Sequence, residues 1–138
     1  MQRQRRLKLA ATLVALAMAA GCVTTLLMGV GGLAALGTYK WIEGTMEKDY
    51  PRSMRETFDA TMEAAKKLNL RITAEQYTPS ESKILASTQD GTDVKVELLA
   101  RPNDITTVKI RFGMMGNADW SGYYHRQIMK ILRIPDQP

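Results

Sequence analysis

From Leu70 onward the chain alternates apolar and polar residues with a period of two. Leu70, Ile72 and Ala74 alternate with Arg71, Thr73 and Glu75. Ile84 and Ala86 follow. Val94, Val96 and Leu98 alternate with Asp93, Lys95 and Glu97, and Val108, Ile110 and Phe112 alternate with Thr107, Lys109 and Arg111. Period two places every second side chain on one face of a strand, so each stretch reads as a strand with one buried and one wet face. Four in succession read as an antiparallel meander. Burial also selects the registers. A two-residue loop at Asp90-Gly91 pairs Ile84 with Glu97, whereas a three-residue loop, Gln89-Asp90-Gly91, pairs Ile84 with Val96 and Ala86 with Val94. A one-residue slip sends an apolar set to the opposite face, so the three-residue loop is expected, a type I turn with Gly91 left-handed in a bulge. The loop Pro102-Asn103-Asp104 matches Leu98 with Val108 and Val96 with Ile110 by the same logic.

Around the meander the period changes to that of a helix. Ser53 and Glu56 form an S-x-x-E capping box, in which each side chain satisfies a free backbone donor of the other residue. Met54, Phe58, Met62, Ala65 and Leu68 then recur at spacings of three and four, one apolar stripe. Asn69 is the expected stop, because Asn tolerates the left-handed conformation. A second helix is expected over about 119–132, with Tyr124, Ile128, Ile131 and Leu132 inward and Pro135 beyond its end. Residues 38–49 read as a further strand in which Gly44 marks a bulge or a close approach. The expected fold is α+β: a two-layer sandwich in which an antiparallel meander of four to five strands carries two helices on one face, in the order β-α-β-β-β-β-α.

The N-terminus has a different pattern. Arg3, Arg5, Arg6 and Lys8 form a basic head without acids, Leu9 to Ala20 are uncharged, and Ala19-Ala20-Gly21 lead into Cys22, the single cysteine. Basic head, apolar body and small residues at the exit are the grammar of a secretory signal. A cysteine at the exit looks like the lipobox of bacterial lipoproteins, which implies that Cys22 is acylated and becomes the first mature residue. The alternative is an uncleaved anchor over 9–36, where no charge interrupts the chain, but Gly21, Gly29, Gly31 and Gly32 punctuate it and Gly37 follows. The expected organisation is a signal over 1–21, the lipidated Cys22 with a glycine-rich apolar spacer over 22–37, and a small α+β domain over 38–138. The anchor places that domain in the cell envelope facing the periplasm. Val23 rather than Asp after the cysteine favours the outer over the inner membrane, by resemblance to lipoprotein sorting.

Charge changes meaning once the head is set aside. The chain carries +5, but four of its nineteen Lys and Arg lie in that head, leaving fifteen against fourteen Asp and Glu. The mature part is therefore nearly neutral, which gives no argument for a nucleic-acid partner.

Taken in order, these pieces resemble a family of small bacterial lipoproteins catalogued as a domain of unknown function. The resemblance lies in Ala20-Gly21-Cys22, the glycine-rich stretch ending Gly37-Thr38-Tyr39, Gly44, and the step Leu68-Asn69-Leu70. It continues through the Asp90-Gly91 hairpin and the strand Val108-Lys109-Ile110-Arg111. Residues 113–124 depart from the family pattern, being richer in Met and aromatics. The resemblance implies no catalytic residue.

Candidate chemistry is sparse. His125 is the single histidine. A metal site needs three or four ligands and a catalytic triad needs partners, so no metal, cofactor or catalytic residue is expected, and His125 reads as a surface or edge histidine. Met114-Met115 invites a Cu(I) reading, but two adjacent methionines at a strand end read better as gap-filling core. Trp120, Tyr123 and Tyr124 cluster on the last helix, where not all three can face inward. They are the candidate contact site for an envelope protein partner or for lipid headgroups. The expected function is a membrane-anchored envelope lipoprotein with a binding or structural role and no enzymatic activity. The alternatives are a small-ligand or stress-sensing accessory domain and, with less support, a hydrolase using surface carboxylates.

Overall fold

The computed structural model describes residues 38–136, so the signal expected over 1–21, Cys22 and the spacer over 22–37 lie outside the described residues. The elements run β1 (Lys40–Ile42), β2 (Thr45–Tyr50), α1 (Met54–Lys67), β3 (Arg71–Gln76), β4 (Glu81–Ser87), β5 (Asp93–Arg101), β6 (Ile105–Phe112) and α2 (Ala118–Leu132). One antiparallel sheet has the order β1-β2-β6-β5-β4-β3. Strands β3 to β6 are the expected meander, and the β1–β2 hairpin adds to its β6 edge. Both helices cover the apolar face, so the fold is α+β in two layers.

The registers follow burial. Ile84 pairs with Val96, Ala86 with Val94, Val96 with Ile110 and Leu98 with Val108. At the β4–β5 loop Thr88 N donates to Thr92 O at 2.9 Å, Gly91 N donates to Thr88 O at 3.1 Å, and Gly91 has φ +88°, the expected bulged three-residue loop. On the wet face Lys40, Glu47, Lys109, Glu97 and Lys83 stand opposite one another from β1 to β4 with alternating sign. Opposite charges facing across strands contribute a few tenths of a kcal/mol up to about 1 per pair. The Lys109 Nζ lies 3.1 Å from Glu47 Oε1. The acids and bases that alternate along these strands are a self-neutralising surface.

Two details differ from the sequence reading. The single strand expected over 38–49 is two strands, joined by Glu43-Gly44 with φ of 46° and 81°. Both central residues at positive φ define a type I′ turn, and with it the sheet has six strands rather than four or five. Strand β1 is three residues long, too short to show alternation. In β3 the register shifts between Ile72, opposite Ala86, and Ala74, opposite Leu85. This bulge turns Ala74 to the wet face, away from the expected core.

Both helices end as their residues dictate. Ser53 accepts from Glu56 N and the Glu56 side chain accepts from Ser53 N, the complete capping box. At the other end Leu70 N donates to Ala65 O and Asn69 N to Lys66 O, with Asn69 at φ 54°. This Schellman closure makes Asn69 the stop. Helix α2 starts at Asn117, whose Oδ1 accepts from Trp120 N at 3.1 Å. The core between the layers holds Phe58, Ala64, Ile84, Val94, Val96, Leu98, Val108, Ile110, Phe112, Tyr124 and Ile128.

Candidate functional site

Helix α2 carries all three aromatics of the candidate contact site, and it divides them. Tyr124 is wholly buried, its ring edge-on to Phe112 at 6.3 Å and its hydroxyl donating to Thr61 O at 3.0 Å. Burial pushes its phenol above the usual range. Tyr124 is therefore a core residue, and its place in the candidate contact site is withdrawn. Trp120 and Tyr123 are 50% and 42% exposed, with ring centroids 6.1 Å apart. Trp120 also stacks on Phe112 at 6.0 Å, and the Arg126 guanidinium lies 5.8 Å from the Tyr123 ring. Tyr123 stands about 100° round the helix from Tyr124, whereas Trp120 shares the face of Tyr124 one turn nearer the helix start, where it covers Phe112 at the edge of the core.

His125 is also corrected. It is fully buried rather than a surface or edge residue. Its Nε2 lies 3.1 Å from Met46 O and its Nδ1 2.8 Å from Tyr50 Oη. A carbonyl can only accept, so Nε2 carries the proton, and Nδ1 accepts from the Tyr50 hydroxyl. Burial lowers the imidazole pKa from 6.5 to about 3, so the ring is neutral in the fold. Tyr39 lies edge-on to it at 5.6 Å, and the Lys48 ammonium sits 4.3 Å from the Tyr39 ring centroid. Burial pushes the Tyr39 phenol up to about 12 and lowers Lys48. Burial also holds Tyr50 well above the ordinary tyrosine range. Met46, Lys48 and Tyr50 alternate onto the inner face of β2, so the strand's period presents a polar row to α2. Alternation did not reveal this row, because Lys48 and Tyr50 are polar and Met46 alone is too little to mark the face as buried. Every ring atom of His125 able to hydrogen-bond has a partner, which makes the cluster a joint between helix and sheet.

The opposite property appears where the strands β2 and β6 approach the start of α2. Met114 and Met115, expected as core filling, are each 85% exposed. The loop that carries them is held by backbone contact. A Cβ on Gly116 would stand 2.0 Å from Gly44 O, and one on Gly44 would stand 2.5 Å from Met115 O. Only glycine at both positions lets the β1–β2 turn and the β6–α2 loop touch. The close approach proposed for Gly44 is thus present alongside its turn. Arg111 Nη2 donates to Met114 O and braces the loop from outside. Next to it lies a groove of about 610 Å³ lined by Leu68, Leu70, Thr88, Gln89, Asp90, Thr92, Phe112, Met114, Met115, Asn117 and Trp120. Its far rim is fixed too, since Gln89 Nε2 donates to Asn69 O at 2.9 Å.

Among the described residues no three His, Cys, Asp or Glu are grouped to hold a metal ion, and no helix is long and apolar enough to cross a membrane. The Ser121 Oγ is buried without a hydrogen-bond partner, and nothing in the structure explains it. The groove was not foreseen; the signal for it was the Met and aromatic enrichment of residues 113–124.

No curated protein matches the chain. Over residues 6–131 it matches the family described as "Protein of unknown function (DUF3568)", and it belongs to that family.

Proposed function

We propose that this protein is a lipid-anchored component of the bacterial cell envelope, facing the periplasm, that acts by contact rather than by catalysis. In this reading Cys22 bears the lipid and the groove beside Met114, Met115 and Trp120 is the contact surface. The observation that carries the reading is the uncovered apolar rim of that groove, set in a domain whose other large apolar side chains mostly lie in the core. Large exposed apolar side chains gathered around a concavity mark interaction sites more often than isolated ones do.

The concavity also favours a second reading, a small-ligand accessory domain, because about 610 Å³ lies within the range of small-molecule sites. The two readings share the anchor and the site. The anchor is tested by fatty-acid labelling and intact mass of the wild type and Cys22→Ser. The proposal expects label on the wild type alone, with two or more chains, since one chain holds a protein only weakly. An unlabelled wild type or a labelled Cys22→Ser would remove it.

A further inference from the structure

We propose that the groove binds a small organic cation, an ammonium group carried on an apolar body. This deepens the small-ligand reading of the groove and rests on it. Its lining is apolar and polarisable: the indole of Trp120 stacked on Phe112, the thioethers of Met114 and Met115, and Leu70. Aromatic faces attract cations through their quadrupole. Asp90 is the single ionisable residue among those lining the groove, and it is an acid. Its Oδ1 accepts from the Thr88 hydroxyl and from Thr92 N, so the carboxylate is held in place at the rim. The Thr88 hydrogen bond lowers its pKa further, keeping it ionised at neutral pH.

The helix ends do not reverse this sign. The start of α2 meets the groove at Asn117 and the end of α1 meets it at Leu68. They bring opposite partial charges of about half an elementary charge each, which oppose one another, while Asp90 contributes a whole one. The α2 terminus is further offset by Asp119 in its first turn, and Trp120 N is already capped by Asn117. Arg111 turns its guanidinium to the Met114 carbonyl and is not among the lining residues. An anion would meet Asp90 with no cation in the lining to answer it. The walls are also set before a ligand arrives, by the Gly44–Gly116 contact on one side and the Gln89–Asn69 bond on the other, so little ordering cost opposes binding.

The test uses one apolar body under three heads. Full-length protein is titrated with phenylbutylammonium, phenylbutanol and phenylbutyrate, following the methyl signals of Met114 and Met115 by NMR. The ammonium compound is expected to saturate and to bind at least ~tenfold more tightly than the alcohol, with no saturation by the carboxylate. Asp90→Asn keeps an acceptor for Thr88 and is expected to bring the ammonium compound within about threefold of the alcohol. Equal affinity for the three heads, a preference that survives Asp90→Asn, or saturation by none of them would overturn the inference. The contact-site reading is decided separately, by cross-linking at position 115.

Discussion

The two halves of α2 break the usual distribution of polarity in opposite directions. Around His125 the helix buries polar groups: the imidazole lies against Tyr50 and near Lys48 of the inner face of β2, with the half-buried Tyr39 beside them. Around Trp120 it exposes apolar ones, with Met114 and Met115 beside it. The two sites are about five residues, or ~7.5 Å of helix rise, apart. The difference lies in what each group has found. His125 has both ring nitrogens hydrogen-bonded, so its cluster is accounted for by the fold itself. Met114 and Met115 cover nothing, and the fold gives them no reason to be apolar. A buried polar cluster that is fully paired is a structural device, and an exposed apolar cluster that is unpaired is a binding candidate.

The largest effect expected from breaking this comparison is on the polar side. His125→Ala removes the ring partner of Tyr50 Oη, leaving it only the residue 125 carbonyl, strips the imidazole from Met46 O and leaves a cavity, so it should destabilise by about 3 kcal/mol in denaturant unfolding. An unchanged midpoint would mean that the cluster is not a joint. A close second is Gly116→Ala. It forces a Cβ onto Gly44 O at positive φ, where backbone must yield to backbone, and should destabilise by more than ~2 kcal/mol. Gly91→Ala has the same sign of φ but open space around it, and should lose only about 1 kcal/mol. Equal losses at the two glycines would remove the close approach from the account.

The polar cluster also fixes a pH dependence. His125 is lowered in the fold from 6.5 to about 3, so between these values the unfolded chain binds the extra proton and the folded chain does not. Its stabilisation is complete above pH 6.5 and is lost as pH falls, at roughly 1.4 kcal/mol per pH unit through that window. Carboxylates titrate in the same range, so the slope is read as the difference between wild type and His125→Gln. Parallel slopes would contradict a neutral buried ring.

The apolar side should respond least in stability. Met114→Ser with Met115→Ser is expected to change unfolding by less than ~0.5 kcal/mol, since both side chains stand in water. A large loss would return them to the core, where the sequence had placed them.

That misplacement shows where the sequence was legible. Alternation located the meander and its registers, because each slip would have exposed Val96 or Ile110. Capping chemistry located α1, because Ser53, Glu56 and Asn69 act on their own neighbours. What stayed hidden depended on partners far along the chain. Lys48 and Tyr50 face inward because α2 brings His125 against Tyr50 and the segment before β1 brings Tyr39 against Lys48. Gly44 is in a turn because residue 43 accepts a positive φ, and it lies against Gly116 across some seventy positions of sequence. The contact site was half legible: periodicity required some of Trp120, Tyr123 and Tyr124 to face outward, and it took the packing of α2 on α1 and β6 to put Tyr124 inside.

The central claim is that the apolar end of the domain is the surface this protein uses. A photo-reactive residue at position 115, in the full-length protein within its own cells, tests it most directly. Leu85 is the matched control, an exposed apolar side chain on the wet face of the sheet. The account predicts a discrete adduct from position 115, resolved by mass, and none from position 85. Adducts of equal yield at both positions, or none at either, would contradict it.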